Sequence, residues 1–236
     1  MELGEIFRDS LSYPLQNIKS FIIYLILGII AGIVVGGTLA AAVFSIQNGN
    51  VLATIGSGVI GIVVAIFLGF VISGYELDII KYGINRDSSA PEIDLLRQFF
   101  NGVKLFALSI VYYIIPVIIV SVLSIFFRSW IILIVAFILF VIFGLAQFMA
   151  QCRLAKTEDF GYALAIGEAI GDISKIGFIK LLLFLIIVVL ISLVLFLIAG
   201  FITELNATVG GIIMGILGIY LVFFISRASG LLYSEV

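Results

Sequence analysis

Two pairs of closely spaced carboxylates are the residues best placed to do chemistry in this chain. Glu168 and Asp172 are four residues apart, so on a helix both side chains share one face and could hold a divalent cation. Glu76 and Asp78 follow a long apolar stretch and lie near Lys81. Each pair also has a plainer reading. With Lys175, the first suits the wet face of an interfacial helix, and the second suits local ion pairing. Other reactive groups are scarce. The chain has no histidine, which excludes Ser–His catalysis and zinc sites of the His-Glu-x-x-His type. Its one cysteine, Cys152, allows neither an intrachain disulfide nor a cysteine metal cage. No Asp falls inside an apolar stretch, so an intramembrane aspartyl dyad is excluded too. The expectation is therefore a protein that is not an enzyme and carries no cofactor or metal. Glu76, Asp78, Glu168 and Asp172 then stand as candidates for recognition.

The elements that carry these residues follow from composition. The 236 residues are 64% hydrophobic and 11% charged, against about 25% charged for a soluble domain. Net charge is −2, which excludes a strongly basic nucleic-acid binder. The stretch 20–75 holds 56 residues without a charge. A helix that long would measure roughly 84 Å against a hydrocarbon core of roughly 30 Å. It must fold back, and Gln47-Asn48-Gly49-Asn50 is the polar turn. Four further charge-free stretches, 105–127, 129–152, 181–203 and 205–226, each suit one helix. The prediction is an all-α polytopic membrane protein with six spans near 21–46, 51–73, 105–127, 130–150, 181–202 and 209–226.

Eleven of the twelve Lys and Arg residues fall on one side of that arrangement, and only Arg128 falls on the other. The positive-inside rule then puts both termini on the cytoplasmic side of the cell membrane. Thirteen of the fourteen acids follow the bases, Glu204 being the exception. The amphipathic start, MELGEIFRDS, lacks the basic opening of a cleaved signal. Cys152 falls at a cytoplasmic span end and is expected to react with maleimide from that side only.

Each long inner segment contains an amphipathic stretch before a span. Leu3, Ile6, Phe7 and Leu11 share a face in the first; Ile93, Leu96, Phe99 and Val103 in the second; Ile166, Ile170 and Ile173 in the third. The second opens on Ser89-Ala90-Pro91-Glu92, which reads as a capping box with proline in the first turn. Lys19, Lys104 and Lys175 close the three stretches and can snorkel to headgroups as interfacial anchors. The pattern suggests one membrane domain over 1–236, built as three helical hairpins (about 1–73, 74–150 and 151–226), each led by a cytoplasmic elbow helix.

Gly28, Gly32 and Gly36 form a four-residue ladder in the first span, and Gly211 and Gly215 repeat that spacing in the last. Such faces let helices approach closely, so spans 1, 2 and 6 are expected to form the tight core, and the ladder could also serve a homo-oligomer. Gln147 is expected to bond a neighbouring helix, and Asn206-Ala207-Thr208 matches a glycosylation acceptor pattern.

Gly74-Tyr75, Ala90-Pro91-Glu92, Phe99, Gly102, Lys104, Tyr112, Tyr113 and Pro116, with the tail Ser226-Arg227-Ala228-Ser229-Gly230-Leu231-Leu232-Tyr233, resemble domain-of-unknown-function family 4013. The resemblance implies a polytopic membrane protein, mainly archaeal in distribution, with no known activity or catalytic residues. Two functions fit these readings better than a third, an enzyme acting at the inner interface through Glu168 and Asp172 or Glu76 and Asp78. One is a non-enzymatic scaffold that engages membrane lipids or a protein partner at its cytoplasmic face. The other is a transporter or channel for a small or lipid-like solute.

Overall fold

A computed structural model describes residues 1–48, 51–127 and 130–236, with the side chains of 51–54 and of Ser57 left aside. The described residues form nine helices and no strand: α1 Leu3–Gln16, α2 Ile18–Gln47, α3 Val51–Ile84, α4 Leu95–Phe126, α5 Ile131–Thr157, α6 Phe160–Ala163, α7 Ile166–Ile176, α8 Phe178–Leu205 and α9 Ala207–Tyr233. Six of these, α2, α3, α4, α5, α8 and α9, are long and apolar enough to cross a membrane. The predicted turn residues Gly49, Asn50, Arg128 and Ser129 lie outside the described residues.

Several of these helices outrun the spans expected from the charge-free stretches. The 34 residues of α3 make a rod of roughly 51 Å, so it extends well past a hydrocarbon core of roughly 30 Å. Charge marks where lipid ends, and the hydrogen-bond ladder continues regardless. Burial follows the same division. Buried side chains gather at one end: Val71 to Ile80 on α3, Ala146 to Ala155 on α5 and Phe223 to Tyr233 on α9. Toward the other end Leu39, Ile60, Phe126, Phe137 and Leu197 are exposed, an apolar girdle suited to acyl chains.

The lead-in segments differ from one another. Asn17 breaks α1 from α2, and its side chain bonds the Tyr13 carbonyl at 3.1 Å. Rather than lying alone at an interface, α1 buries Ile6 and Phe7 against the bundle, with Phe7 stacked on Phe184 at 5.4 Å. The second lead-in is no separate helix. Residues 85–94 are irregular, and Asp94 caps a continuous α4 by accepting from the Arg97 amide. The capping box expected at Ser89 does not form there: residues 91–94 lie outside any helix, and Asp94 supplies the cap instead. In the third, Gly177 at φ +92° turns the chain from α7 into α8.

Helices α2, α3 and α9 do touch one another, but the most extensive contact is α3 on α4. Glycine explains why. A Cβ on Gly74 would overlap the backbone carbonyl of Gln98, and one on Gly102 would overlap that of Phe70. Gly83 and Gly230 bring α3 onto α9, a Cβ on Gly83 falling 2.9 Å from the Gly230 Cα. The ladder behaves differently from the expectation. A Cβ on Gly28 would lie 3.3 Å from the Ile219 side chain, whereas one on Gly32, Gly36, Gly211 or Gly215 would meet nothing within 4 Å. Those four glycines face open space, although close approaches occur beside them: a Cβ on Gly61 would overlap Thr38 of α2, and one on Gly210 would overlap Thr203 of α8.

Candidate functional site

The candidate recognition residues lie at the charged end, and the helix ends position them for pairing. Buried Asp172 on α7 takes an Arg153 Nη1 donor at 2.8 Å, Lys175 Nζ at 2.6 Å and the Tyr233 hydroxyl at 2.6 Å. Arg153 also pairs with Glu168, and its guanidinium covers the Tyr162 ring at 4.0 Å. Burial alone would raise the Asp172 pKa, but the donors from Lys175, Tyr233 and Arg153 outweigh it and hold the carboxyl below its ordinary value. The wet-face reading of Asp172 is thus corrected. The buried positions of α7 are Ala169, Asp172, Ile173 and Ile176, while Ile170 is 41% exposed. A carboxylate can join that face because a guanidinium from α5 meets it. Both carboxylates turn onto Arg153, which leaves neither free to converge on a cation. Among the described residues no three His, Cys, Asp or Glu side chains gather as a metal site would require.

Asp78 has a separate environment on α3. It pairs with Arg97 at 3.0 Å rather than with Lys81, and accepts from Gln98 at 3.2 Å and Asn101 at 3.4 Å. The Tyr24 hydroxyl donates to Gln98 at 2.6 Å, extending the network from α3 and α4 to α2. Lys81 pairs instead with Glu158. Glu76, two residues before Asp78, is partly exposed and has no hydrogen-bond or ion-pair partner among the described residues.

A third constellation holds the irregular segment 85–94. Side-chain donors from four helices and from Asn17, between α1 and α2, meet its backbone carbonyls. Arg227 donates to Asp87, Asn17 to Ser88 at 3.1 Å, Tyr13 to Ser89 at 3.1 Å and Tyr75 to Pro91 at 3.3 Å. Arg97 and Gln98 both reach Glu92, each at 3.1 Å. Buried Arg227 also grips Asp9 on α1 at 2.7 Å. A segment without secondary structure, most of it exposed, is thus tied to the bundle through five of its carbonyls.

The anchors separate in role. Lys19 is exposed and has no ion-pair partner among the described residues, Lys104 is partly exposed and Lys175 spends its charge on Asp172. Gln147 bonds Ser109 on α4 at 3.0 Å. Asn206 caps α9 through the amides of Thr208 and Val209, each at 3.1 Å, a structural use for the residue that matched a glycosylation pattern. Cys152 is fully buried, so the reactivity expected of it is corrected: a thiol packed inside the bundle is shielded on both sides. Sequence reasoning passed over Arg153 and Arg227. The available signal was their isolation at the ends of long charge-free stretches, where an unpaired charge is costly and a partner must exist.

The protein is therefore a multi-pass membrane protein in which several ionisable groups, at its charged end, bind helices to one another. No curated protein and no solved structure matches the chain. One family model does, over residues 57–204, and its description is protein of unknown function (DUF4013). That match spans more than half of the sequence and includes both carboxylate pairs, so the chain belongs to the DUF4013 family.

Proposed function

We propose that this is a non-enzymatic scaffold of the cytoplasmic membrane, with both termini cytoplasmic, which engages lipids or a protein partner at its inner face. The observation that carries this reading is the division of the molecule into an apolar girdle and a tightly bonded charged end. The girdle supplies a lipid-facing surface along all six spans. At the charged end Arg153, Arg227 and Arg97 fix α1, α7 and the segment 85–94 as a preformed surface. Charge distribution supports the orientation, since eleven of twelve basic residues belong to that end. The partner engages the cytoplasmic segments 74–104 and 151–180, which carry Glu76, Asp78, Glu168 and Asp172.

Extraction into native lipid discs followed by mass spectrometry of what copurifies tests this reading. A reproducible lipid set or a stoichiometric partner is the expected result. Discs holding neither, together with solute flux above that of empty liposomes, would favour the transporter reading instead.

A further inference from the structure

The side of segment 85–94 that faces the start of α2 forms an open groove of about 720 Å³, lined by residues 16–20, Ile23 and residues 90–93. That volume lies within the range of small-molecule sites, roughly 300–1,000 Å³. Two charged side chains line it, Lys19 and Glu92. Both are exposed, and neither side chain has a hydrogen-bond or ion-pair partner among the described residues. This contrasts with Lys81, Arg97, Arg153, Lys175, Lys180 and Arg227, which all pair with acids.

We propose that this groove seats the headgroup of a zwitterionic, ammonium-bearing phospholipid. Lys19 takes the phosphate and Glu92 takes the ammonium. The assignment rests on the lipid-engaging reading above and makes it specific.

Three observations carry it. The charges are complementary to a zwitterion: one cation and one anion give the groove no net charge, and an anionic headgroup drawn to Lys19 would also meet the Glu92 carboxylate. The wall is rigid, because Tyr75, Arg97 and Gln98 hold the Pro91 and Glu92 carbonyls, so little ordering is needed when a ligand enters. The groove also opens beside lipid. Ile18, Ile22 and Ile26 continue from it along α2 with about half of each side chain exposed, a track for the acyl chains. Lys19 lies at the start of this apolar helix, at the depth where a lysine reaches back to phosphates.

The test is native mass spectrometry of the full chain in detergent, titrated with phosphatidylethanolamine or phosphatidylglycerol. The wild-type protein is expected to retain phosphatidylethanolamine about fivefold better, the worth of one partly exposed charge pair. E92Q should erase that preference, K19Q should weaken retention of both lipids about fivefold, and R8Q, an exposed cation outside the groove, should change nothing. The two groove side chains are exposed and unpaired among the described residues, so the variants should fold, and unchanged melting temperatures would establish that they do. Lipid retained by wild type, K19Q and E92Q alike would overturn the groove while leaving the scaffold reading intact. A wild-type protein that retains no lipid would overturn the groove and remove the lipid side of the scaffold reading with it.

Discussion

Asp172 and Arg153 meet 2.8 Å apart with neither side chain open to solvent, although 19 residues and two helix boundaries separate them. The pair welds α7 to the end of α5, and Tyr233 brings α9 to the same carboxylate. Breaking one side of such a pair strands a buried charge. We expect D172A and R153M each to destabilise the folded protein by about 3–5 kcal/mol. The double variant should cost less than the sum, because no orphan charge remains. Unfolding by denaturant in detergent reads all three.

Acid should act through the same group. The pKa of Asp172 is lowered despite its burial, by donors from Lys175, Tyr233 and Arg153, and that of Glu158 is lowered chiefly by the hydrogen bond from Lys81. A depressed folded pKa contributes stability that is present above the unfolded value and lost as pH falls through the folded one. The melting temperature should therefore hold from neutral pH down to about 5, then fall below about 4, the ordinary carboxyl range. In D172N this acid loss should be smaller.

Glycine substitutions should separate convergence from spacing. G74A and G102A place a methyl group on the opposing backbone and are expected to cost about 1–3 kcal/mol or more, with α3 and α4 pushed apart. G32A and G36A meet open space and should be neutral or stabilising by up to about 1 kcal/mol, from helix propensity alone. Thermal melts of the four variants decide the matter.

Orientation can be read with introduced thiols. Cys152 is fully buried and should resist an impermeant maleimide in intact cells and inverted vesicles alike. In a Cys152→Ala background, S88C should label only in inverted vesicles and E204C only in intact cells. Both positions are exposed and belong to opposite ends of the bundle. The reverse pattern would overturn the proposed topology.

The spans were legible because lipid imposes a one-dimensional rule: apolar runs of sufficient length and bases to one side. Four of the six fall inside the helices found, and 105–127 and 130–150 each overrun theirs by one residue. The charged end was less legible, because its rule is three-dimensional. On α7 the periodicity of Ile166, Ile170 and Ile173 pointed to a buried face that excluded Asp172. The helix is instead rotated onto Ala169, Asp172, Ile173 and Ile176. No local pattern announces that an arginine from another helix will neutralise that position. The glycine ladder misled for a related reason. Spacing identifies a smooth face, while the place where two backbones cross is fixed by the whole bundle, here at Gly74 and Gly102.

Arg227 gives the molecule an order of assembly. It belongs to the last helix, yet it holds Asp9 on the first and the Asp87 carbonyl in between. During synthesis α1 and the segment 85–94 emerge long before their guanidinium does. A nascent chain halted ahead of α9 carries a complete set of earlier spans and an open seam at its charged end. Limited proteolysis should cut such a chain within 85–94 faster than the finished one, where Arg227 holds the segment to α9.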